Sequence, residues 1–443
     1  MSSPLPRAVL ALGLAVLAWS TQAEPLSLQD ALRLAEQRSR QLPAQDAAAD
    51  AARQMAVAAG QRPDPVLKAG IDNLPVNGPD RFSTTRDFMT MRTVGVSQEW
   101  TRADKLRLRA ARFEREAETA EATRQLALAN LQRDTAVAWL ELYFQQRLRG
   151  LLAQQKIEAA LPVQAADAAY RGGRGTQADL FAARAAVAQL DDRIAATARD
   201  ELGARTLLAR WTGVTSGEAL DAPPPMDTLR WREGSTDQRI DQRIDQDIDR
   251  DIERDIERDI ERHPEVSVLI RKEAAARAEA DVARADRRPD VSVELSYSQR
   301  GPAYSNMVSF GVSIPWQWDQ KNRQDRELAA RLAVVEQLRA EREEQTRQLA
   351  AEARLLLQQW RGDRERLVRY DTELLPLAAE RTRAALAAYR GGTAPLSAVL
   401  DARRGEIDTR MERLRLEMGV ARLWAQLNYL IPSHRDDTKE SAS

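Results

Sequence analysis

The sequence contains no cysteine, which excludes disulfide bonds, thiolate nucleophiles and zinc sites built on cysteine. It has only two histidines, His263 and His434, so a metal centre held by several histidines is excluded as well. No glycine-rich phosphate loop or nucleophile motif is present. These shortages argue against an enzyme, and we expect neither a cofactor nor a metal site.

The chain also has no excess of positive charge, since 66 Lys and Arg balance 67 Asp and Glu. The overall charge therefore gives no attraction for nucleic acid. Aromatic residues make up only 5% of the chain, which is thin for several globular cores. The dominant residues are Ala, Arg, Glu, Leu and Gln, a composition typical of long helices.

Long hydrophobic runs are scarce, and the one near the N-terminus covers only residues 8–19. It follows Arg7 and precedes the small or polar residues Thr21 and Ala23. About a dozen apolar residues cannot cross a bilayer core roughly 30 Å thick. The pattern predicts a cleaved secretory signal over residues 1–23.

The strongest internal signal is a duplication. Tyr-Arg-Gly-Gly occurs at 170–173 and again at 389–392, and Arg-Pro-Asp occurs at 62–64 and at 288–290. We therefore predict a first repeat over 24–235 with a β-hairpin at about 65–100. A second repeat is predicted over 263–432 with a hairpin at about 290–315.

Each repeat follows one plan of helix, β-hairpin, long helix, glycine turn and helix. In the second hairpin Val291, Val293, Leu295 and Tyr297 alternate with polar residues, as expected of a strand with one apolar face. The long helices are predicted at about 101–161 and 321–375. Sixty helical residues span roughly 90 Å, which does not fit inside an ordinary globule.

Two further segments interrupt or follow this plan. Residues 236–262 repeat four-residue units such as Arg-Asp-Ile-Glu, whose isoleucines drift around a helix and form no lasting apolar face. We interpret this segment as a low-complexity charged linker between the repeats, with a charged partner-binding helix as the alternative. The polar residues 433–443 are predicted to be a disordered tail.

Four amphipathic strands in one chain raise a closure problem. Strands of about ten residues suit a bilayer, but four strands cannot close a barrel, and open edges in lipid leave backbone groups unsatisfied. If the strands lie in a membrane, several chains must therefore contribute them. Three chains would supply twelve strands.

At this point the sequence resembles a known family, the TolC-type outer-membrane efflux proteins. The resemblance runs from the Leu-Ser-Leu-Gln-Asp-Ala opening at 26–31 to residues 427–432, and includes the strand-to-helix junctions at 94–98 and 314–316. It implies a mainly α fold with a small β part. Three copies would form a 12-stranded outer-membrane β-barrel, continued by a long periplasmic α-helical barrel.

Within this family, the chain is most similar to the heavy-metal branch, which serves tripartite pumps of the resistance-nodulation-division (RND) class. That similarity rests on Val-Gly-Val-Ser-Gln at 94–98 followed by Lys105 and Arg107, and on the turn at 318–322. It implies a passive exit duct for metal cations in the bacterial outer membrane. The implied partners are a periplasmic membrane-fusion adaptor, an inner-membrane RND pump and outer-membrane lipid.

The resemblance also assigns roles to particular residues. The glycine turns would form the periplasmic tip that docks the adaptor; they comprise Tyr170, Arg171, Gly172, Gly173, Tyr389, Arg390, Gly391 and Gly392. Asp401 would line the tunnel entrance as a ring of three carboxylates, and Asp179 would tether the closed tip to Tyr389. Independently of the resemblance, Trp100, Trp316 and Trp318 lie where strands turn into helices, and the preference of aromatic residues for the membrane interface predicts that they lie there. Each residue also has a purely structural interpretation as a turn, surface or core residue, and Arg403 could pair locally with Asp401.

Two other functions stay open on the sequence alone. One is a TolC-type duct for drugs or secreted proteins, which would differ only in its partners. The other belongs to a different class, a periplasmic coiled-coil scaffold whose short strands pair in water.

Overall fold

The computed structural model describes residues 25–215, 219–229 and 260–430. The predicted signal segment, the tail, and all of the charged linker except residues 260–262 lie outside the described residues. The described chain is mainly helical with one small sheet, which confirms the predicted fold class at that level. None of the helices in the described ranges has an apolar stretch long enough to cross a bilayer.

The elements follow one another in the order helices, hairpin, helices, and then the same order again. The first set comprises α1 (Leu28–Arg38), α2 (Gln41–Ala59), β1 (Val66–Asp72), β2 (Met91–Trp100), α3 (Ala103–Arg171) and α4 (Gln177–Thr212). The second set comprises α5 (Pro264–Asp286), β3 (Val291–Gln299), β4 (Met307–Ser313), α6 (Gln324–Arg369), a π-helical turn (Tyr370–Leu374), α7 (Leu375–Arg390) and α8 (Leu396–Asn428).

The first helical segment differs from the single helix of the predicted plan, because it is divided between α1 and α2. Ser39 is extended, with φ −56° and ψ 132°, and α2 begins at Gln41. Pro43 therefore lies in the first turn of α2, where its missing N–H has no helical partner to lose. In a continuous helix the ring of Pro43 would clash with the carbonyl of Ser39.

The two long helical segments differ in structure at their prolines, Pro162 and Pro376. α3 runs through Pro162 to Arg171, so its 69 residues extend further than predicted and span roughly 100 Å. In the second repeat, the π-helical turn Tyr370–Leu374 directly precedes α7, whose second residue is Pro376. Pro376 has no N–H to donate to the preceding turn, and the wider π-helical turn accommodates it there.

The four strands form one antiparallel sheet in the order β1-β2-β3-β4. Val66 lies opposite Ser97 in the first hairpin, and Ser292 lies opposite Ser313 in the second. The two hairpins are joined by pairing of β2 with β3, which sets Val94 opposite Tyr297. Strands β1 and β4 are the two edges, and each is paired along one side only.

The main core lies away from the sheet, where helices of both repeats meet. Trp139 is fully buried there, and its indole Nε1 donates a hydrogen bond to the carbonyl oxygen of Leu26 at 3.0 Å. On α8, Trp424 donates in the same way to the carbonyl of Thr228 at 2.8 Å. These bonds tie the flanking loops onto the helices and fix the middle of the long bundle.

Candidate functional site

One face of the sheet is apolar on all four strands. The registers place Leu67, Val96, Leu295 and Phe310 side by side across it, and the neighbouring positions continue the stripe. The apolar face consists of Leu67, Ala69, Ile71, Val94, Val96, Val293, Leu295, Tyr297, Val308, Phe310 and Val312.

This apolar face is open to the surroundings in the single chain. Leu67 is 76% exposed and Phe310 is 70% exposed, and most of the other apolar side chains on this face are exposed by half or more. A contiguous apolar surface of this kind is unusual on a soluble monomer and marks contact with a partner or with lipid.

The opposite face of the same sheet is polar. The Nζ of Lys68 on β1 pairs with a carboxylate oxygen of Glu294 on β3 at 2.6 Å, across the intervening strand. The hydroxyls of Thr93 and Ser298 lie 3.0 Å apart. On the same face Gly95 lies opposite Ser296, and a Cβ added to Gly95 would come within 2.8 Å of the serine side chain. The sheet therefore separates an apolar from a hydrophilic surface.

The three tryptophans of the predicted interface lie at or just beyond the ends of β2 and β4. Trp316 is 86% exposed and Trp318 is 82% exposed, whereas the ring of Trp100 is stacked under the guanidinium of Arg62 at 4.7 Å. Exposed indoles beside an apolar sheet face suit a lipid–water interface. Their interface role remains a prediction.

A buried charge cluster lies where the sheet meets the helices, and it joins Lys105 to the Arg-Pro-Asp motif at 288–290, two features that the sequence did not connect. The Nζ of Lys105 contacts carboxylate oxygens of Asp286 at 3.0 Å and Asp290 at 2.8 Å. It also donates to the carbonyl of Arg288 at 3.4 Å, and the residue is only 4% exposed. The cluster locks the start of α3 to the Arg-Pro-Asp segment of the other repeat.

The two Tyr-Arg-Gly-Gly turns have the same geometry. Gly173 and Gly392 both adopt positive φ, at 68° and 74°, which glycine tolerates without strain. Both turns lie at one end of the molecule, because Leu180 and Ala183 after the first turn pack with Leu396 after the second. The structure thus brings the two predicted docking turns together.

The side chains around the turns differ in exposure. Tyr170 and Arg171 are exposed, and Arg171 pairs with Asp167 one helical turn earlier at 2.9 Å. Arg390 is also exposed, whereas Tyr389 is half-buried against the apolar cluster that contains Leu180 and Leu396. The adaptor-docking role of these residues remains a prediction.

Asp179 has a local structural role. It forms a capping box at the start of α4, in which its carboxylate accepts from the Thr176 hydroxyl at 2.7 Å and from the Thr176 N–H at 3.2 Å. Capping of this kind stabilises a helix by about 1 kcal/mol. The tether from Asp179 to Tyr389 is a separate prediction, which this contact neither requires nor tests.

Asp401 is exposed on α8 and borders a cavity of about 280 Å³ between α3, α4 and α8. Arg193 and Arg403 also line it, but each has acidic partners. Arg193 pairs with Asp408 at 2.6 Å, and Arg403 pairs with Glu158 at 3.0 Å and with Glu406. Arg403 is therefore engaged with glutamates, and local pairing with Asp401 is not the contact it makes.

Within the described ranges, no group of three or more His, Asp or Glu side chains is arranged to hold a metal ion. His263 serves instead as the N-cap of α5, where its Nδ1 accepts from the N–H of Glu265 at 3.2 Å. Burial, followed by the positive charge of Arg133, lowers the pKa of His263 below its ordinary value. The cap therefore works with a neutral imidazole.

The match to a family model lies almost entirely in the second repeat. Residues 256–431 match the family model described as outer membrane efflux protein. The match covers less than half of the chain and includes the second hairpin, the second glycine turn and α8. No curated protein matches the sequence significantly.

Solved structures of outer-membrane channels share the fold of nearly the whole chain. The outer-membrane channel OprN superposes with a TM-score of 0.71 at 18% identity, over 92% of this chain and 90% of its own. CusC gives 0.71 at 15% identity over 92% of both chains. The Campylobacter jejuni CmeC channel gives 0.70 at 12% identity, over 99% of this chain and 96% of its own. At these identities the likeness concerns the fold.

Proposed function

We propose that this chain forms the outer-membrane exit channel of a bacterial tripartite efflux system, as a homotrimer of the TolC type. The observation that carries the proposal is the sheet, with one exposed apolar face, one polar face and two unpaired edges. The apolar face suits lipid and the polar face suits a water-filled lumen. The match of residues 256–431 to outer membrane efflux proteins supports the same conclusion.

Closure of the sheet determines the assembly. Backbone groups at an open sheet edge cost several kcal/mol each when they face hydrocarbon. Three copies would pair their edges into a ring of twelve strands, and the long α3 and α6 would continue it as a periplasmic helical tunnel. In this arrangement the glycine turns at the far end of the helices dock a periplasmic adaptor.

Energy and substrate selection come from partners in this proposal, an inner-membrane RND pump and its adaptor. The proposed substrates are heavy-metal cations, supported by the junction motifs at 94–98 and 318–322 and by an exposed carboxylate at Asp401. A ring of three such carboxylates would favour cations over anions. A duct for drugs or secreted proteins is the alternative with the same architecture.

Fractionation tests the channel itself. The full-length protein expressed in a Gram-negative host should be recovered in the outer membrane, and native mass spectrometry of the detergent extract should give a trimer. Recovery as a soluble monomer would overturn the proposal and favour the coiled-coil scaffold. A variant with Phe310→Asp and Leu67→Asp, which charges the apolar face, should fail to insert, whereas Lys68→Gln on the polar face should insert normally.

Deletion of the gene in its own host tests the substrate. The deletion strain should become more sensitive to particular divalent or soft cations, and a plasmid copy should restore resistance. Unchanged metal tolerance combined with new drug sensitivity would replace the metal assignment by the drug alternative and leave the channel intact.

A further inference from the structure

The two hairpins can be superposed pair by pair, because both are continuous antiparallel ladders, and the sequence selects which positions correspond. Val66 pairs with Ser97, and the second hairpin pairs Ser292 with Ser313. Ser292 lies 226 positions after Val66, and Ser313 lies 216 positions after Ser97. The same two offsets relate every other pair of the two hairpins.

The sequence supports both offsets. With 226 positions, Arg-Pro-Asp at 62–64 superposes on Arg-Pro-Asp at 288–290. With 216 positions, the segment 94–105 superposes on 310–321, so that Gly-Val-Ser recurs. In this alignment Trp100 corresponds to Trp316 and Lys105 to Lys321, while Asp290 corresponds to Asp64.

Within one chain, the residues of the first set, Lys105 and Asp290, contact each other. Pairing of β2 with β3 brings Lys105 against Asp290, and the lysine is buried there. The second set, Lys321 and Asp64, cannot meet in the same way within one chain, because β4 and β1 lie at opposite edges of the sheet. Lys321 and Asp64 are both exposed; Lys321 lies in the turn between β4 and α6, and Asp64 lies two residues before β1.

We infer that β4 of one copy pairs antiparallel with β1 of the next and repeats the β2–β3 contact, with Lys321 bound to Asp64 of the neighbouring copy. This inference rests on the closed ring of twelve strands in the proposed function, and it identifies the residues that join neighbouring copies in that ring. Because Val96 lies opposite Leu295 and Val94 opposite Tyr297, the equivalent register sets Val312 opposite Ala69 and Phe310 opposite Ile71.

The faces of the strands agree with this register. Val312, Phe310, Ala69 and Ile71 all belong to the apolar face, so the pairing continues that face across the boundary between copies. A slip by one residue would set apolar side chains against polar ones and is excluded by the pattern. A slip by two residues would keep the faces but separate Lys321 from Asp64, so the ion pair selects one register.

Charge reversal tests the ion pair. Lys321→Asp alone and Asp64→Lys alone should each reduce the fraction of trimer that survives mild SDS by about tenfold, as expected when one partner of a desolvated pair is removed. The double variant should recover most of it. Lys68→Asp is the matched control, because it reverses an exposed lysine on β1 that pairs within the chain. A double variant no better than the singles would overturn the ion pair.

Cysteine cross-linking tests the register, and the chain offers a clean background because it has no cysteine. Copies carrying only Ala69→Cys, co-expressed with copies carrying only Val312→Cys, should form a disulfide-linked dimer on mild oxidation. Val312→Cys combined with Leu67→Cys or Ile71→Cys, one register step to either side, should link far less, since diagonal neighbours are too far apart.

The outcomes separate this inference from the function beneath it. A trimer that links best through Leu67→Cys or Ile71→Cys would overturn the register and leave the channel standing. A protein that stays monomeric by native mass spectrometry and forms no link at any pair would overturn both.

Discussion

Lys105 offers the sharpest test of how the sheet is fastened to the helices. Its ammonium group is enclosed by two carboxylates and a carbonyl at the start of α3. The substitution Lys105→Met keeps the length and apolar stem of the side chain and removes only the charge. Asp290, whose side chain is 13% exposed, would then keep a nearly buried negative charge without this partner.

The size of the effect follows from burial. Exposed ion pairs contribute about 0.2–1 kcal/mol, whereas removing one partner of a buried pair costs about 3–5 kcal/mol. Lys105 and Asp290 are close to the buried limit, but Asp286 is a third exposed and is partly stabilised by water. We therefore expect a loss of about 3 kcal/mol at this junction.

Hydrogen exchange measures this loss locally, without requiring two-state unfolding of the whole assembly. If the junction opens as a unit, about 3 kcal/mol corresponds to roughly a hundredfold faster exchange of the amides in the first turns of α3. The control is Lys68→Met, which breaks the exposed pair with Glu294 and should change exchange by less than about fivefold.

The double variant Lys105→Met with Asp290→Leu decides the cause. Replacing both partners by apolar residues removes the unpaired charge, so slow exchange should largely return. If Lys105→Met accelerates exchange no more than Lys68→Met, the cluster is not acting as a buried pair and the reasoning fails.

Three further predictions concern other parts of the chain. The lowered pKa of His263 means that the unfolded chain binds the proton more readily, so stability is present above about pH 6.5 and is lost as the pH falls below it. After correction for the intrinsic pH dependence of exchange, the protection of the amides at the start of α5 should fall between pH 7.5 and 5.5, and His263→Asn, which keeps a capping acceptor, should remove that fall; an unchanged protection profile would contradict the role of His263. Gly392→Ala should cost about 1–2 kcal/mol at a positive φ, measured as a lower melting temperature, whereas Gly391→Ala with φ −76° should cost clearly less, and equal effects would refute the strain argument. Asp401→Ala should reduce the cation preference of the reconstituted pore, measured as a shift in reversal potential under a salt gradient, and unchanged selectivity would remove Asp401 from the entrance.

Sequence patterns predicted the parts of the fold that depend on local signals. Alternation from Val291 to Tyr297 predicts an amphipathic strand, and the structure gives β3 over Val291–Gln299. The glycine turns were visible because only glycine adopts their positive φ without strain. The break before α2 was also within reach, since Pro43 suits only the first turn of a helix.

Other features depend on contacts between distant residues, which one sequence does not reveal. Lys105 and Asp290 are 185 positions apart, so the motif containing Lys105 gave no indication of its partner. Asp179 was assigned a long-range role, although the local pattern Thr176-x-x-Asp179 already predicted a capping box. The first long helix was predicted to end at about residue 161, but α3 continues through Pro162 to Arg171.

The exposed sheet also constrains how the proposed channel forms. A single copy that entered the bilayer would leave the outward-facing backbone groups of β1 and β4 without partners, at several kcal/mol each. A single copy in water would expose the apolar face and two edges ready to pair with other chains. Both states carry these costs, whereas edge pairing between copies together with burial of the apolar face in lipid removes them. Membrane insertion and trimerisation should therefore be one coupled event, and weakening the Lys321–Asp64 contact should lower insertion and assembly in parallel.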